Sequence, residues 1–153
     1  MASLGSCFPT TLTRPIVEAA LKPGCVVRLE VKLTSITKPK FLILVATDDP
    51  EYLSFLVNSE INPFILKRPH LLRCQVSITA ESHEFLHHDS HIACHEVFTI
   101  RREDVIKSLM TDPSGIKGEV SPETKEKIKI AVKLAKTIDN DKKNRIISSL
   151  GNI

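Results

Sequence analysis

The stretch His83-Glu84-Phe85-Leu86-His87-His88-Asp89-Ser90-His91, with Cys94 and His95 behind it, holds five of the chain's six histidines within 13 residues. Imidazole titrates near neutral pH, so such a cluster suits general acid and base catalysis. Cleaving a phosphodiester through a neighbouring hydroxyl needs one group to take that hydroxyl's proton and another to protonate the leaving oxygen. His83, His87 and His88 are candidates for both roles, with Asp89 near enough in sequence to orient a ring. A metal site is the second reading. His83 and His87 are four residues apart, and His91, Cys94 and His95 can complete a tetrahedral set. That spacing needs a helix, whereas the flanks read as a loop entering a strand, and it fits no standard zinc module; no metal or other cofactor is expected. A third reading, a thiol nucleophile at Cys94 beside His91 and His95, is opposed by strand alternation, which sends His95 to the other face. The plainest reading is a loop of exposed histidines, with Asp89-Ser90 making an Asx-type turn into the next strand.

Two further groups of residues are able to meet a phosphate. Lys38, Lys40, Lys67 and Arg68 lie in or near turn-rich segments. Gathered on one rim they would hold a nucleic-acid backbone; scattered, they are ordinary surface charge. Asn58-Ser59-Glu60 offers an amide, a hydroxyl and a carboxylate at the end of an apolar run, or simply a turn. The net charge of +3 permits a phosphate-rich partner without requiring one. The lysines from Lys125 to Lys143 and Arg145 read as the solvated face of C-terminal helices. With no Trp and one Tyr, the chain has little from which to build a broad base-stacking surface.

The elements that must carry these groups follow from pattern. At 153 residues and 42% hydrophobic content the chain fits one domain with an ordinary core. Thr13-Arg14-Pro15 opens a short helix to Leu21, after a polar terminus over residues 1–13. Five strand-like runs follow: Cys25–Leu33, Phe41–Ala46, Tyr52–Val57, Leu71–Ile78 and Ile92–Ile100. The second is apolar throughout, as a strand buried on both faces should be. In the fourth, Leu72, Cys74, Val76 and Ile78 share one face. Short strands at this spacing make a sandwich or a small barrel. The period then lengthens: residues 102–110 carry one helical stripe, Ser121-Pro122-Glu123 starts a longer helix, and Ile146, Ile147 and Leu150 mark a last one. The class expected is α+β. Cys7, Cys25, Cys74 and Cys94 form no CxxC pair, and no apolar leader or 18-residue apolar run occurs. Reduced thiols, a cytoplasmic location and no membrane partner are the expectation.

The order of these pieces resembles the MazF/PemK (Kid-type) toxin superfamily. Lys22-Pro23-Gly24-Cys25-Val26-Val27 is similar to its opening "PGDIV" strand, and Lys38-Pro39-Lys40-Phe41-Leu42-Ile43-Leu44 to its "RPxxVL" loop and strand. Ser90–Ile100 resembles its strand leading into "Q-[IV]-[RK]-[ST]-[IV]", and Gly118-Glu119-Val120-Ser121-Pro122-Glu123 its "G-x-[LV]-[ST]-x-E" turn. The resemblance covers about residues 22–138. It implies an SH3-like barrel of about five to seven strands over 22–100, with an N-terminal arm over 1–21 and helices over 101–153 packed on the same domain. It also implies a homodimeric, metal-independent endoribonuclease acting on single-stranded RNA and inhibited by a peptide-like antitoxin. The family's catalytic Arg falls on Lys38, its Thr on Asn58 or Ser59, and the Asp of its opening motif on Cys25. Lysine keeps the charge but lacks the bidentate fork. These departures leave a second expectation open, a non-catalytic barrel that binds a protein or a nucleic acid.

Overall fold

A computed structural model describes residues 14–33 and 36–151; the arm expected over residues 1–13, with Cys7 and Thr13, lies outside them. The described chain is α+β. Seven antiparallel strands make one curled sheet, a half-barrel, with helices on both faces.

Helix α1 (Arg14–Ala20) leads through Lys22-Pro23-Gly24 into β1 (Cys25–Leu33). Gly24 has a φ of +97°, and a Cβ there would stand 2.5 Å from Lys125 Cε, so the turn into the sheet calls for glycine. β1 pairs with β2 (Ile36–Ala46), and β2 with β3 (Glu51–Asn58). One-turn helices α2 (Pro63–Leu66) and α3 (Pro69–Leu72) precede β4 (Gln75–Ile78). β5 (Ser90–Ala93) and β6 (Phe98–Arg101) share the other edge of β3, β5 at its C-terminal end and β6 at its N-terminal end. After α4 (Arg102–Thr111), β7 (Ile116–Glu119) pairs with β1. Helices α5 (Pro122–Leu134) and α6 (Asn140–Gly151) end the described chain.

Strand alternation divides the core in two. Ile43, Val45, Phe55 and Val57 face α5 and α6, where they meet Ile128, Val132, Ile146 and Leu150. Val27, Leu29, Leu42 and Leu44 face α1 and α4 and pack on Val17, Leu21, Val105, Ile106 and Leu109. The uninterrupted apolar run of β2 therefore has a direct cause: both of its faces are covered. α5 starts where Ser121-Pro122-Glu123 implies. The Ser121 hydroxyl accepts the Thr124 amide at 3.1 Å, and Pro122 occupies the first turn. Ser121→Ala is expected to cost about 1 kcal/mol of stability, read as a lowered urea midpoint with an unchanged slope.

Four sequence expectations shift. The strand expected from Phe41 begins at Ile36, so Lys38 and Lys40, expected in or near a turn, stand inside β2, paired with Val31 and Leu29 of β1. The strand expected over Leu71–Ile78 begins only at Gln75, because Pro69 at the first helical position turns residues 69–72 into α3. Leu71 is buried there, whereas Leu72 is 36% exposed. The strand expected over Ile92–Ile100 is broken by a turn after Ala93, so its two halves become β5 and β6. β7 was not foreseen; four residues, two of them Lys117 and Gly118, carry too little pattern to read as a strand. Among the described residues, no helix is long and apolar enough to cross a membrane.

Candidate functional site

A polar row crosses the sheet. The register that pairs Phe41 with Val57 sets Lys40 across from Asn58. Asn58 in turn lies opposite His91 on β5, and His91 opposite Ser77 on β4. Side chains directly opposite on neighbouring antiparallel strands share a face and lie within reach of one another. The Lys40 ammonium donates to Asn58 Oδ1 at 2.9 Å, and the Ser77 hydroxyl lies 3.4 Å from His91 Nδ1. Lys38 stands two residues before Lys40 on the same strand, exposed to solvent. Burial, and then the nearby Lys38 charge, lowers the pKa of Lys40 below the ordinary lysine value.

Where β2 begins and β3 ends, a cleft of about 210 Å³ opens; its lining includes Lys40, Phe41, Val57, Ser59, His87 and His88. The two histidines reach it because the 79–89 loop is pinned to the sheet. Phe85 meets Phe41 edge-on, with ring centroids 5.9 Å apart, and Leu86 is buried in the core. Asp89 Oδ1 accepts the Ala80 amide at 2.9 Å, so Asp89 closes the loop at its base and orients no histidine. The loop thus presents His87 and His88, both exposed, to the cleft that Lys40 and Ser59 also line.

The candidate residues therefore separate. Lys40, Ser59, His87 and His88 line one cleft, Asn58 is bonded to Lys40, and Lys38 flanks them. His83 does not join this group. It is 5% exposed, its Nδ1 lies 3.2 Å from the Thr79 carbonyl, and its ring packs against Phe85. Lys67 and Arg68 lie apart, at the junction of α2 and α3, where the Arg68 guanidinium sits 3.5 Å above the Phe64 ring. His91 was assigned only to the metal and thiol readings, yet it occupies the row itself. The available signal was alternation: in a strand beginning at Ser90, His91 shares the face of neither Ser90 nor Ile92.

The other two chemistries of the histidine segment find no support in this geometry. His83 and His87 sit in a loop, not on a helix, and among the described residues no three His, Cys, Asp or Glu side chains converge as metal ligands. Cys94 is fully buried, and burial pushes its thiol pKa well up, so it is held protonated away from solvent. Burial likewise raises Cys25, to about 11.

Compared with known proteins, the chain matches no protein-family model and no curated protein.

Proposed function

We propose that the chain is a divergent MazF/PemK-like, toxin-type protein on an SH3-like half-barrel, and that it cleaves single-stranded RNA without a metal. The observation that carries this reading is the gathering of Lys40, Ser59, His87 and His88 around one cleft, with Asn58 bonded to the Lys40 ammonium. In the proposed reaction the ribose 2′-oxygen attacks the adjacent phosphorus while a neutral imidazole takes its proton. The P–O5′ bond breaks, and an imidazolium protonates the departing 5′-oxygen. His87 and His88 supply the two rings. The Lys40 ammonium, with Lys38 beside it, faces the charge that builds on the phosphoryl oxygens, and the Asn58 amide fixes its position. Ser59 contacts the nucleotide. Lys40 takes the electrostatic role that the family pattern gives to the Arg of its "RP" loop; the matching segment here, Lys38-Pro39-Lys40, lies within β2. A homodimer and a peptide-like antitoxin bound over the same groove belong to this reading.

The purified chain is expected to cut single-stranded RNA in EDTA and to leave 2′,3′-cyclic phosphate and 5′-hydroxyl ends. Intact RNA across substrates of varied sequence, with no growth defect on expression, would sink it. A second reading is a non-catalytic barrel that binds RNA or a protein. One observation favours it: Lys40, the best-placed cation, is already engaged by Asn58. It predicts association without turnover.

A further inference from the structure

A second groove, of about 700 Å³, lies away from the polar row, between the α2–α3 junction, the turn after β5 and the α5–α6 connection. Its volume is in the range that encloses small ligands. Three features of its wall are independent of the cleft described above.

The first is a stacked pair. Phe64 is 56% exposed, and the Arg68 guanidinium carbon lies 3.5 Å from the centroid of its ring. Arg68 Nη1 also donates to the Phe64 carbonyl at 2.9 Å, so the guanidinium is held as a fixed plate rather than a free cation. It is the one cation–π contact among the described residues. Guanidinium planes and aromatic faces are the surfaces on which unpaired bases stack.

The second is His95. Gln75 Nε2 stands 3.2 Å from the Leu71 carbonyl and 2.9 Å from His95 Nδ1. An amide nitrogen only donates, so Nδ1 must accept, and the ring proton sits on Nε2. Burial lowers the pKa of His95, which agrees with a neutral ring. The groove therefore contains a fixed, uncharged N–H donor. The third is Lys142, on the first turn of α6, which supplies an ammonium to the lining. Glu96 and Asp139 also line the groove, and Asp139 accepts the Lys142 amide at 2.9 Å.

The Arg68–Phe64 stack, a neutral donor and the Lys142 ammonium together match a nucleotide: a flat ring with acceptor atoms, joined to a phosphate. We propose that this groove binds one nucleotide of a single-stranded nucleic acid, its base on the Arg68–Phe64 plate, a base acceptor on His95 Nε2–H and its phosphate at Lys142. The site does not depend on the cleavage chemistry and would serve equally in a chain that binds a strand without cutting it.

Short single-stranded DNA is the main probe, because it lacks the 2′-hydroxyl and cannot be cut by the proposed reaction. Phe64→Ala and Arg68→Lys are each expected to weaken its binding by about fivefold to a hundredfold, the range of one lost stacking contact. Arg68→Lys keeps the charge and removes the plate, so an affinity equal to that of the unaltered chain overturns stacking at this site. Phe64 is exposed, and an unchanged melting midpoint in both variants confirms that the fold is intact. In a second measurement, 5′-AMP is titrated against the unaltered chain and backbone amide shifts are followed by NMR. Shifts at Phe64, Arg68 and His95 support the groove. Shifts confined to Lys40, Asn58 and His91, or no saturable binding of either probe, overturn it. Groove binding with RNA left intact removes the nuclease reading and keeps this one; cleavage with Phe64→Ala and Arg68→Lys both binding normally does the reverse.

Discussion

Lys40→Ala is expected to lower RNA cleavage by about a hundredfold to a thousandfold, the usual effect of removing one preorganised charge-stabilising donor from a reacting centre. The loss should appear in kcat rather than KM, because the ammonium matters most when charge accumulates on the phosphoryl oxygens. Stability should change little. Lys40 is only partly buried, and Asn58 Oδ1, its partner at 2.9 Å, can turn to water. The pH dependence separates this role from simple attraction. The folded-state pKa of Lys40 lies below the ordinary lysine value, through burial and then Lys38. The ammonium, and the activity that needs it, is therefore present below that lowered pKa and lost as pH rises through it, earlier than for a free lysine. Lys40→Arg keeps its charge at every accessible pH, so it should abolish this alkaline limb while retaining part of the rate. An alkaline limb identical in Lys40→Arg and the unaltered chain would assign it to another group.

Phe55→Ala is the largest stability effect expected, about 3–5 kcal/mol in denaturant unfolding. Phe55 is fully buried at the middle of β3, in the core that faces α5 and α6. Its removal leaves a cavity between the sheet and two helices, which close-packed neighbours fill only in part. Against a typical total of about 5–15 kcal/mol, this takes the protein to the edge of folding. A loss below about 1 kcal/mol would mean that α5 and α6 collapse onto the sheet without resistance, and that this half of the core is loosely packed.

Much of the fold was legible where one local signal dominates. β1 runs Cys25–Leu33 as its alternation implies, β2 shows the continuous apolar run of a strand covered twice, and the Ser121-Pro122 pair starts α5. The misreadings share a physical cause. Alternation over Leu71–Ile78 looked strand-like, but Pro69 supplied a helical first turn that overrode it. Ile92–Ile100 looked like one strand because apolar spacing does not register a turn that hands β3's edge from one partner to another. Chain pattern also says nothing of how the sheet curls, which depends on bulges such as those between Val26 and Val27 and between Leu44 and Ala46.

The site was legible in its parts and not in its assembly. Lys40, Asn58, Ser59, His87 and His88 were all singled out from residue type and local setting, and they meet. His83 was grouped with them because it is near in sequence. Its ring is instead buried under the loop, with Nδ1 3.2 Å from the Thr79 carbonyl, Phe85 packed against it and Nε2 buried without a hydrogen-bond partner among the described residues. His91 was undervalued for the converse reason: its neighbours are across the sheet, not along the chain. Arg68 was read as a phosphate cation, and its distinguishing contact, the Phe64 ring four residues earlier, is one that charge alone does not reveal.

The three buried thiols, Cys25, Cys74 and Cys94, are each at most 3% exposed. They sit in two places: Cys25 opens β1, whereas Cys74, before β4, and Cys94, after β5, are neighbours, the Cys94 amide donating to the Cys74 carbonyl at 3.1 Å. An alkylating reagent therefore meets each of them only when its own stretch of the sheet separates from the rest. Their labelling rates would time the opening of the β1–β7 side against that of the β4–β5 side within a single intact chain. The protein thus carries internal reporters of which side of its sheet comes apart first, without any added probe.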